Sequence, residues 1–125
     1  MMTRDEIYRR LSQLALSDFA DIVEATKIVE GKLRILLMDG SFIDVWLSLK
    51  KKGVYAYHWE RRAIDGTIYR HNNLPDKAAR RLKTFPKHFH NRTEQVVVES
   101  DITDDPVEAV KSFLKFARDL LRKPE

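Results

Sequence analysis

Apolar positions recur at helical spacing near both ends of the chain, and between the ends they alternate with polar positions. Near the N-terminus, Ile7, Leu11 and Leu14 lie about one helical turn apart. The preceding Thr3-Arg4-Asp5-Glu6 has the form of a capping box, in which the Thr hydroxyl and the Glu carboxylate satisfy free amides of a first turn. This pattern predicts a helix over residues 4–16.

A second helix is predicted near the C-terminus, where Asp105-Pro106-Val107-Glu108 has the features of a helix start. Asp is a favoured N-cap residue, and Pro is favoured at the first helical position. One broad apolar stripe then continues to about residue 122, through Val107, Val110, Leu114, Ala117 and Leu121.

Short β-branched and aromatic segments separated by turns occupy the middle of the chain. Strands are predicted at residues 21–29, 32–38, 41–49, 54–61 and 67–72, and a shorter one at 95–100. The turns at Asp39-Gly40 and Asp65-Gly66 favour two-residue hairpin loops, whose central residues both need positive φ. Tight turns between consecutive strands pair those strands antiparallel.

These elements predict one α+β domain over residues 1–125. The expected architecture is an antiparallel β-meander of about five to six strands, with the N-terminal helix and the long C-terminal helix packed on one face. After Pro75 the pattern weakens. Residues 76–82 are expected to form a short helix, and residues 84–92 an irregular loop able to move, because they contain Pro86 and show no periodicity.

The composition excludes several classes of protein. The chain has no cysteine, which excludes a disulfide framework, a thiol nucleophile and a cysteine zinc site. No apolar run reaches the roughly 18 residues of a membrane span, and the N-terminal residues lack the apolar segment of a signal peptide. A cytoplasmic protein with no membrane partner is therefore expected.

Basic residues are concentrated in the middle of the chain. Residues 50–92 contain twelve Lys and Arg against three acidic residues, a net charge of +9, whereas the whole chain has +4. All four histidines lie in the same stretch. Such a stretch can attract a polyanion such as RNA or can simply be a solvated surface, and the sequence leaves both interpretations open.

The turn at Asp65-Gly66 predicts which side chains meet across its hairpin. With a two-residue loop, Glu60 lies directly across from His71. One face would then carry His58, Glu60, His71 and Asn73. A carboxylate beside an imidazole fixes its tautomer and raises its pKa, as in a general acid or base, although an exposed ion pair has the same pattern.

A second cluster of histidines lies in Phe85-Pro86-Lys87-His88-Phe89-His90. In an extended segment, His88 and His90 point the same way. They suit acid–base cleavage of the RNA backbone and, with a third histidine from the hairpin, they also suit a divalent metal. No Asp or Glu lies within the motif, so metal binding is the weakest interpretation, and no metal or cofactor is predicted. Two incidental surface histidines are the remaining alternative.

Three aromatic residues, Tyr55, Tyr57 and Trp59, alternate along one predicted strand beside Arg61 and Arg70. Such a stripe can stack on bases, but it is more often part of a core, and the core interpretation is preferred.

Three segments carry a family resemblance: Tyr57-His58-Trp59-Glu60-Arg61, Ile64-Asp65-Gly66-Thr67-Ile68-Tyr69-Arg70-His71-Asn72-Asn73, and Thr84-Phe85-Pro86-Lys87-His88-Phe89-His90. Together they resemble the TumE-like family of type II toxin–antitoxin modules. The resemblance covers most of the chain from about Asp21 onward, including the order of strands and the closing helix. It implies a toxin component, with a helix-turn-helix antitoxin as its partner.

The combined hypothesis is an intracellular toxin that acts on RNA as a metal-independent endoribonuclease. His71, oriented by Glu60, is the candidate base, His88 or His90 is the candidate acid, and His58 shares their site. Substrate contacts are assigned to Arg70, Lys87, Asn73 and Arg61. The alternative is a non-catalytic nucleic-acid- or protein-binding module that uses the basic surface of residues 50–92. The sequence does not determine the oligomeric state.

Overall fold

The computed structural model describes residues 2–123. In chain order they form α1 (Arg4–Asp18), β1 (Val23–Val29), β2 (Lys32–Leu37), β3 (Phe42–Leu47), β4 (Tyr55–Arg61), the single turn α2 (Arg62–Asp65), β5 (Thr67–Asn72), a 3₁₀ turn (Lys77–Ala79), β6 (His88–Arg92), β7 (Val97–Glu99) and α3 (Pro106–Arg122). The single-domain prediction covers residues 1–125, of which 1, 124 and 125 lie outside the described part. Within that part, no helix is long and apolar enough to cross a membrane.

The strands form one antiparallel sheet in which each strand pairs with its neighbours in the chain, from β1 to β7. The predicted α+β class is confirmed, and the described sheet has one strand more than the five to six expected. The unexpected strand is β6, in the segment predicted to be an irregular loop. It pairs with β5 on one side and β7 on the other, and these pairings provide the backbone hydrogen bonds that hold it extended.

The helices cover one face of the sheet and enclose the core with it. Alternate residues of β4 are buried on this side: Tyr55, Tyr57, Trp59 and Arg61. Trp59 packs edge-on against Phe116 of α3, with ring centroids 6.2 Å apart. The interpretation of the alternating aromatics as core is therefore confirmed. The opposite face, to which Ala56, His58 and Glu60 point, is called the open face below.

Both long helices begin at the predicted caps. The hydroxyl of Thr3 accepts a hydrogen bond from the amide of Glu6 at 3.1 Å, and a carboxylate oxygen of Asp105 accepts one from the amide of Glu108 at 3.0 Å. Helix α1 ends at Asp18, two residues beyond the predicted end. A local cap can be read from the sequence because its donor and acceptor are three residues apart.

The β4–β5 loop is longer than the two residues predicted. Five residues, 62–66, connect Arg61 to Thr67, and four of them form the turn α2. The turn ends at Gly66, whose φ of +79° reverses the chain at the start of β5. The carboxylate of Asp65 then accepts hydrogen bonds from the amide of Thr67 at 3.1 Å and from its hydroxyl at 2.5 Å. These contacts stabilise the longer loop.

The longer loop reverses the faces of β5 relative to the prediction. The predicted register paired Ile64 with Thr67, whereas the structure pairs Arg61 with Thr67. The difference is three residues, and an odd shift moves every side chain of a strand to the opposite face. Glu60 and His71 therefore point to opposite faces, and the predicted contact between them is wrong.

Replacing Gly66 by Ala is expected to lower the free energy of unfolding by about 1–2 kcal/mol, because an L side chain is strained in the left-handed region. No other atom lies within 4 Å of the added Cβ, so the cost comes from backbone conformation alone. Urea unfolding measures the loss. Gly66→Asn is the matched control and is expected to lose clearly less, since Asn tolerates this conformation. Equal losses in the two variants would contradict the conformational explanation.

Candidate functional site

A row of charged and histidine side chains crosses the open face. The strand register places one member on each strand from β2 to β6, in the order Arg34, Asp44, His58, Arg70 and His90. We call this set the polar row. The side chains at its centre remain accessible, with 19% of His58 and 22% of Arg70 exposed. The polar row is therefore where the sheet presents titratable groups away from the helices.

His58 has hydrogen bonds on both ring nitrogens. Its Nδ1 accepts a hydrogen bond from Arg70 at 3.1 Å, because a guanidinium can only donate. Nε2 therefore carries the proton, which it donates to Glu60 at 3.0 Å. Burial is the main cause that lowers the pKa of His58, and it outweighs the opposing effect of Glu60. The predicted pairing of a carboxylate with an imidazole thus exists, but its histidine is His58 and not His71.

Glu94, which sequence reasoning missed, links the side chains around His58 into a ring. Its carboxylate accepts two hydrogen bonds from Arg70, one of them at 2.8 Å, and one from Arg62 at 3.2 Å. Arg62 in turn donates to Glu60 at 3.1 Å. The pKa of Glu94 is lowered, chiefly by its bonds to Arg70. Two arginines and two carboxylates therefore balance in charge. No local signal marks Glu94, because it reaches Arg70 only through the pairing of β5 with β6.

His88 and His90 point to the open face from β6. Their exposed fractions are only 1% and 4%, so the prediction that they lie on a loop able to move is wrong. The prediction that they point the same way is confirmed by the strand. Nδ1 of His88 donates to the carbonyl of Pro86 at 2.8 Å, and Nδ1 of His90 donates to that of Glu94 at 3.0 Å. Burial lowers the pKa of His90.

His71 lies on the helix-covered face, away from the other three histidines. Its ring stacks on Phe89 with centroids 4.2 Å apart and meets Phe113 of α3 edge-on. Its Nδ1 is hydrogen-bonded to the hydroxyl of Ser100 at 2.8 Å. Burial among these groups lowers the pKa of His71 to about 4. The structure therefore does not bring His71 together with Glu60, His58, His88 or His90.

Three residues predicted to contact substrate are held in contacts within the protein. Arg61 is buried on the helix side and donates to Asp39 at 2.6 Å. Lys87 forms an ion pair with Asp104 at 3.2 Å and donates to a backbone carbonyl. Asn73 bonds two backbone groups at the start of β4 and in the turn before it, at 2.9 and 2.7 Å. Any substrate contact by these residues would have to replace the bonds described, and the same holds for Arg70 with its bonds to Glu94 and His58.

Accessible positive charge is found in residues 73–87, which connect β5 to β6 and are called the basic loop below. Its exposed cations are Lys77, Arg80, Arg81 and Lys83. No ion pair holds any of these four among residues 2–123. The positive charge of the polar row is neutralised, whereas these four cations of the basic loop are free to attract an anion.

Several clefts open on the protein, and one of them lies on the polar row. A cleft of about 600 Å³ lies at the end of the sheet near α1 and is lined by Arg4, Leu47 and Tyr55 among others, but by no histidine. A smaller one of about 320 Å³ opens on the polar row and is lined by His58 and Arg70. A third cleft, of about 550 Å³, lies beside α3 and is lined by His71, Glu99 and Asp101. The cleft on the polar row is the candidate site because its histidine, His58, is hydrogen-bonded to both Arg70 and Glu60.

The fold and the polar row together define a small α+β protein that presents histidines on an open antiparallel sheet. The chain matches the family model described as Toxin TumE over residues 6–121. It therefore belongs to the Toxin TumE family, and the resemblance seen in the sequence is confirmed. Membership makes the protein a toxin component of a toxin–antitoxin module, with an antitoxin as its partner. Neither a curated protein nor a solved structure matches the chain.

The depressed pKa of His71 predicts how stability depends on pH. In the unfolded chain this histidine takes up a proton near pH 6.5, whereas in the folded protein it does so near pH 4. Between these values the unfolded state binds more protons, so the free energy of unfolding falls as the pH drops, by at most about 1.4 kcal/mol per unit from this group. Urea unfolding at several pH values should show a weaker dependence in His71→Phe, which keeps an aromatic ring but does not titrate. An NMR titration that places the pKa of His71 near 6.5 would overturn this prediction.

Proposed function

We propose that this toxin acts on RNA as a metal-independent endoribonuclease and that the polar row is its active site. The observation that supports this best is the order of His58, Arg70 and His90 on β4, β5 and β6. Neighbouring strands lie about 4.8 Å apart, so the Cα atoms of the two histidines are separated by roughly 10 Å with the arginine between them. A phosphodiester bound at Arg70 would have an imidazole on each side, which suits an in-line displacement at phosphorus.

His58 is the proposed base. Its Nδ1 carries the lone pair and faces Arg70, so a phosphate that draws Arg70 away from the ring leaves Nδ1 free to accept the 2′-hydroxyl proton. The imidazolium that forms would be stabilised by Glu60, which already holds the Nε2 proton at 3.0 Å. Because burial lowers its pKa, His58 is neutral at pH 7 and available as a base. His71 loses the role predicted for it, since it lies on the other face.

His90 is the proposed acid, with Arg70 as the group that stabilises charge on phosphorus. As the 2′-oxygen bonds to phosphorus, the bond to the 5′-oxygen breaks, and that oxygen takes a proton from Nε2 of His90. Burial lowers the pKa of His90, so the ring must first take up this proton from solvent, and the negative charge of a phosphate bound beside it would favour that uptake. Nδ1 of His90 is held by the carbonyl of Glu94, which orients the ring for this transfer. Phosphates on either side of the cleaved bond would be bound by the cations of the basic loop.

A non-catalytic RNA-binding module is the second candidate. Two observations favour it. Both imidazole nitrogens of His58 are already hydrogen-bonded within a network whose charges balance, and the cations of the basic loop are free. Such a protein would bind the RNA backbone through the loop and leave the polar row as a structural network.

The antitoxin is proposed to be a DNA-binding protein of the helix-turn-helix class. The TumE-like resemblance supports a helix-turn-helix protein as the partner, and the two proteins would act together in the cytoplasm.

His58→Gln is expected to lower RNA cleavage by about 10²–10⁴-fold, because the variant loses a general base while its amide can still donate to Glu60. RNA affinity should change by less than about threefold. Cleavage of a labelled RNA in excess chelator, with analysis of the new ends for 2′,3′-cyclic phosphates, measures the first quantity, and filter binding measures the second. Growth arrest on expression without the antitoxin should be lost in parallel.

His71→Phe is the matched control, since it removes a histidine from the helix-covered face and should retain cleavage and growth arrest. If wild-type protein binds RNA without cutting it, or if His58→Gln cuts as fast as wild type, the enzymatic proposal fails. Binding without cleavage by both proteins would support the binding module in its place.

Binding to RNA is expected to depend strongly on salt. If the four cations of the basic loop each contact a phosphate, the slope of log affinity against log salt should be about −3, at about 0.7 per contact for a single strand. The double variant Arg80→Ala/Arg81→Ala should reduce this slope by about 1.4. Lys50→Ala/Lys51→Ala removes the same charge from the exposed β3–β4 turn and should have a much smaller effect. An affinity that stays flat as salt is raised several-fold would exclude the RNA backbone as the ligand.

A further inference from the structure

Three potential metal ligands meet beside the polar row, although the sequence motif around the histidines contains no acidic residue. One ligand atom from each of Asp76, His88 and His90 lies within 4.8 Å of the other two. Asp76 comes from the basic loop, which folds against the open face next to β6. The tertiary structure thus supplies the carboxylate whose absence made metal binding the weakest interpretation of the sequence.

The hydrogen bonds of the two histidines leave the same nitrogen of each ring free. Nδ1 of His88 lies 2.8 Å from the carbonyl of Pro86, and Nδ1 of His90 lies 3.0 Å from that of Glu94. A carbonyl oxygen only accepts, so both Nδ1 atoms must carry the proton. Both Nε2 atoms then have an unprotonated lone pair, and no hydrogen bond to either is found among residues 2–123. In a metal-bound histidine, the ring nitrogen that does not bind the metal typically donates a hydrogen bond to a carbonyl or carboxylate. That bond fixes the tautomer and the orientation of the ring.

The packing of the two rings leaves Nε2 as the nitrogen that can bind a ligand. His88 is 1% exposed and His90 is 4% exposed, and their rings meet edge-on with centroids 5.0 Å apart. Neither Nε2 atom is completely buried, so a small ion can reach it. Each ring therefore offers a lone pair without a hydrogen-bond donor among residues 2–123, and a neutral imidazole nitrogen in this state is a common metal ligand.

We propose that Asp76, His88 and His90 bind one divalent transition-metal ion, of which Zn²⁺ is the best match. Two imidazoles and one carboxylate suit zinc, whereas Mg²⁺ and Ca²⁺ prefer oxygen ligands alone. Three protein ligands leave a fourth position for water or for a phosphate oxygen. The site goes beyond the proposed reaction on RNA, because binding of the metal does not depend on that reaction.

The geometry needs only a small adjustment. Ligand atoms around a tetrahedral zinc with bonds of about 2.0–2.1 Å are roughly 3.3 Å apart, so the three side chains must approach by about 1.5 Å at most. His88 and His90 are fixed by β6 and by their Nδ1 bonds. Asp76 is exposed, so its carboxylate can complete the movement. It already caps the 3₁₀ turn by accepting from the amide of Ala78 at 3.1 Å, which keeps it near the sheet.

The charges on the strands around the two histidines favour a cation, whereas the four exposed cations of the basic loop oppose one. The closest arginine along the polar row is Arg70, which pairs with His90 across the sheet. Its charge is balanced by the two hydrogen bonds that it donates to Glu94. On the other side, Glu99 of β7 lies across from His88 and adds negative charge. The histidine pair therefore has a carboxylate on each flank.

One consequence for the reaction rests on the proposed function. A metal at Nε2 of His90 occupies the atom that would carry the proton for the leaving oxygen. The metal-bound form should therefore cleave RNA more slowly than the metal-free form. If the metal binds but does not slow cleavage, the role of His90 as the acid is contradicted, whereas the metal site is not.

Titration of metal-free protein with Zn²⁺ and with Co²⁺ tests the site directly. We expect one Zn²⁺ per chain by calorimetry and visible absorption bands of tetrahedral Co²⁺. His88→Asn and His90→Asn should each weaken binding at least 100-fold, since the Asn amide can still donate to the backbone carbonyl but Nε2 is gone. Asp76→Asn should weaken it at least 10-fold while it preserves the cap, because Asn is as good an N-cap residue as Asp.

Two variants outside the cluster serve as controls. His71→Phe removes a histidine from the other face, and Asp119→Asn removes an exposed carboxylate from α3, and both should bind Zn²⁺ as wild type does. Trypsin adds a second readout, because a bound metal would attach the basic loop to β6 and slow cleavage at Lys77, Arg80, Arg81 and Lys83 by several-fold. The proposal is overturned if wild-type protein binds less than one equivalent at micromolar Zn²⁺. It is equally overturned if the three cluster variants bind as tightly as the two controls.

Discussion

The number of residues between β4 and β5 is the constraint on which the rest of the open face depends. In an antiparallel pair, every added or removed residue of register exchanges the two faces of a strand. The five-residue connection, with the turn α2 and the left-handed Gly66, places His58 and Arg70 side by side and sends His71 to the helices. Strand β6 then adds to β5 in the register that brings His90 next to Arg70. One loop thus decides which of the four histidines can act together.

The two faces of the sheet divide the titratable groups by their surroundings. On the helix-covered face, His71 is packed against aromatic rings and its pKa is lowered to about 4, as burial of a chargeable ring requires. On the open face, His58 is also kept neutral by burial, but it is bonded to Glu60 and Arg70 in a network whose charges balance. A neutral imidazole beside a fixed guanidinium suits proton transfer next to a phosphate. The excess positive charge of the protein lies beside this network, on the basic loop, where it can act on an anion from a distance.

The segment from the basic loop through β6 links the two proposals. Its cations would bind the RNA backbone, its histidines lie at one end of the polar row, and its Asp76 completes a set of metal ligands. A toxin must be restrained until it is needed, and its family implies an antitoxin for that purpose. A metal that competes for Nε2 of His90 would be a separate restraint, built from the same strand that supplies the proposed acid.

The sequence by itself determined the features whose signals are local. Neighbouring residues were enough to predict the helix caps at Thr3 and Asp105, the alternation of buried and open positions on β4, and membership of the toxin family. In a cap the donor and acceptor lie within a few positions of each other, and so do the successive members of a sequence pattern. The sequence also placed all four histidines within the stretch that forms β4 to β6.

Only the tertiary structure decided which of them meet. The Asp-Gly signal at the β4–β5 loop did not determine the length of the loop. It therefore did not determine which side chains of β5 point to which face of the sheet. Strand β6 has no periodic pattern of its own and is held extended by pairing on both sides. Glu94 reaches Arg70 across 24 residues of chain, and that contact exists only after the strands have paired.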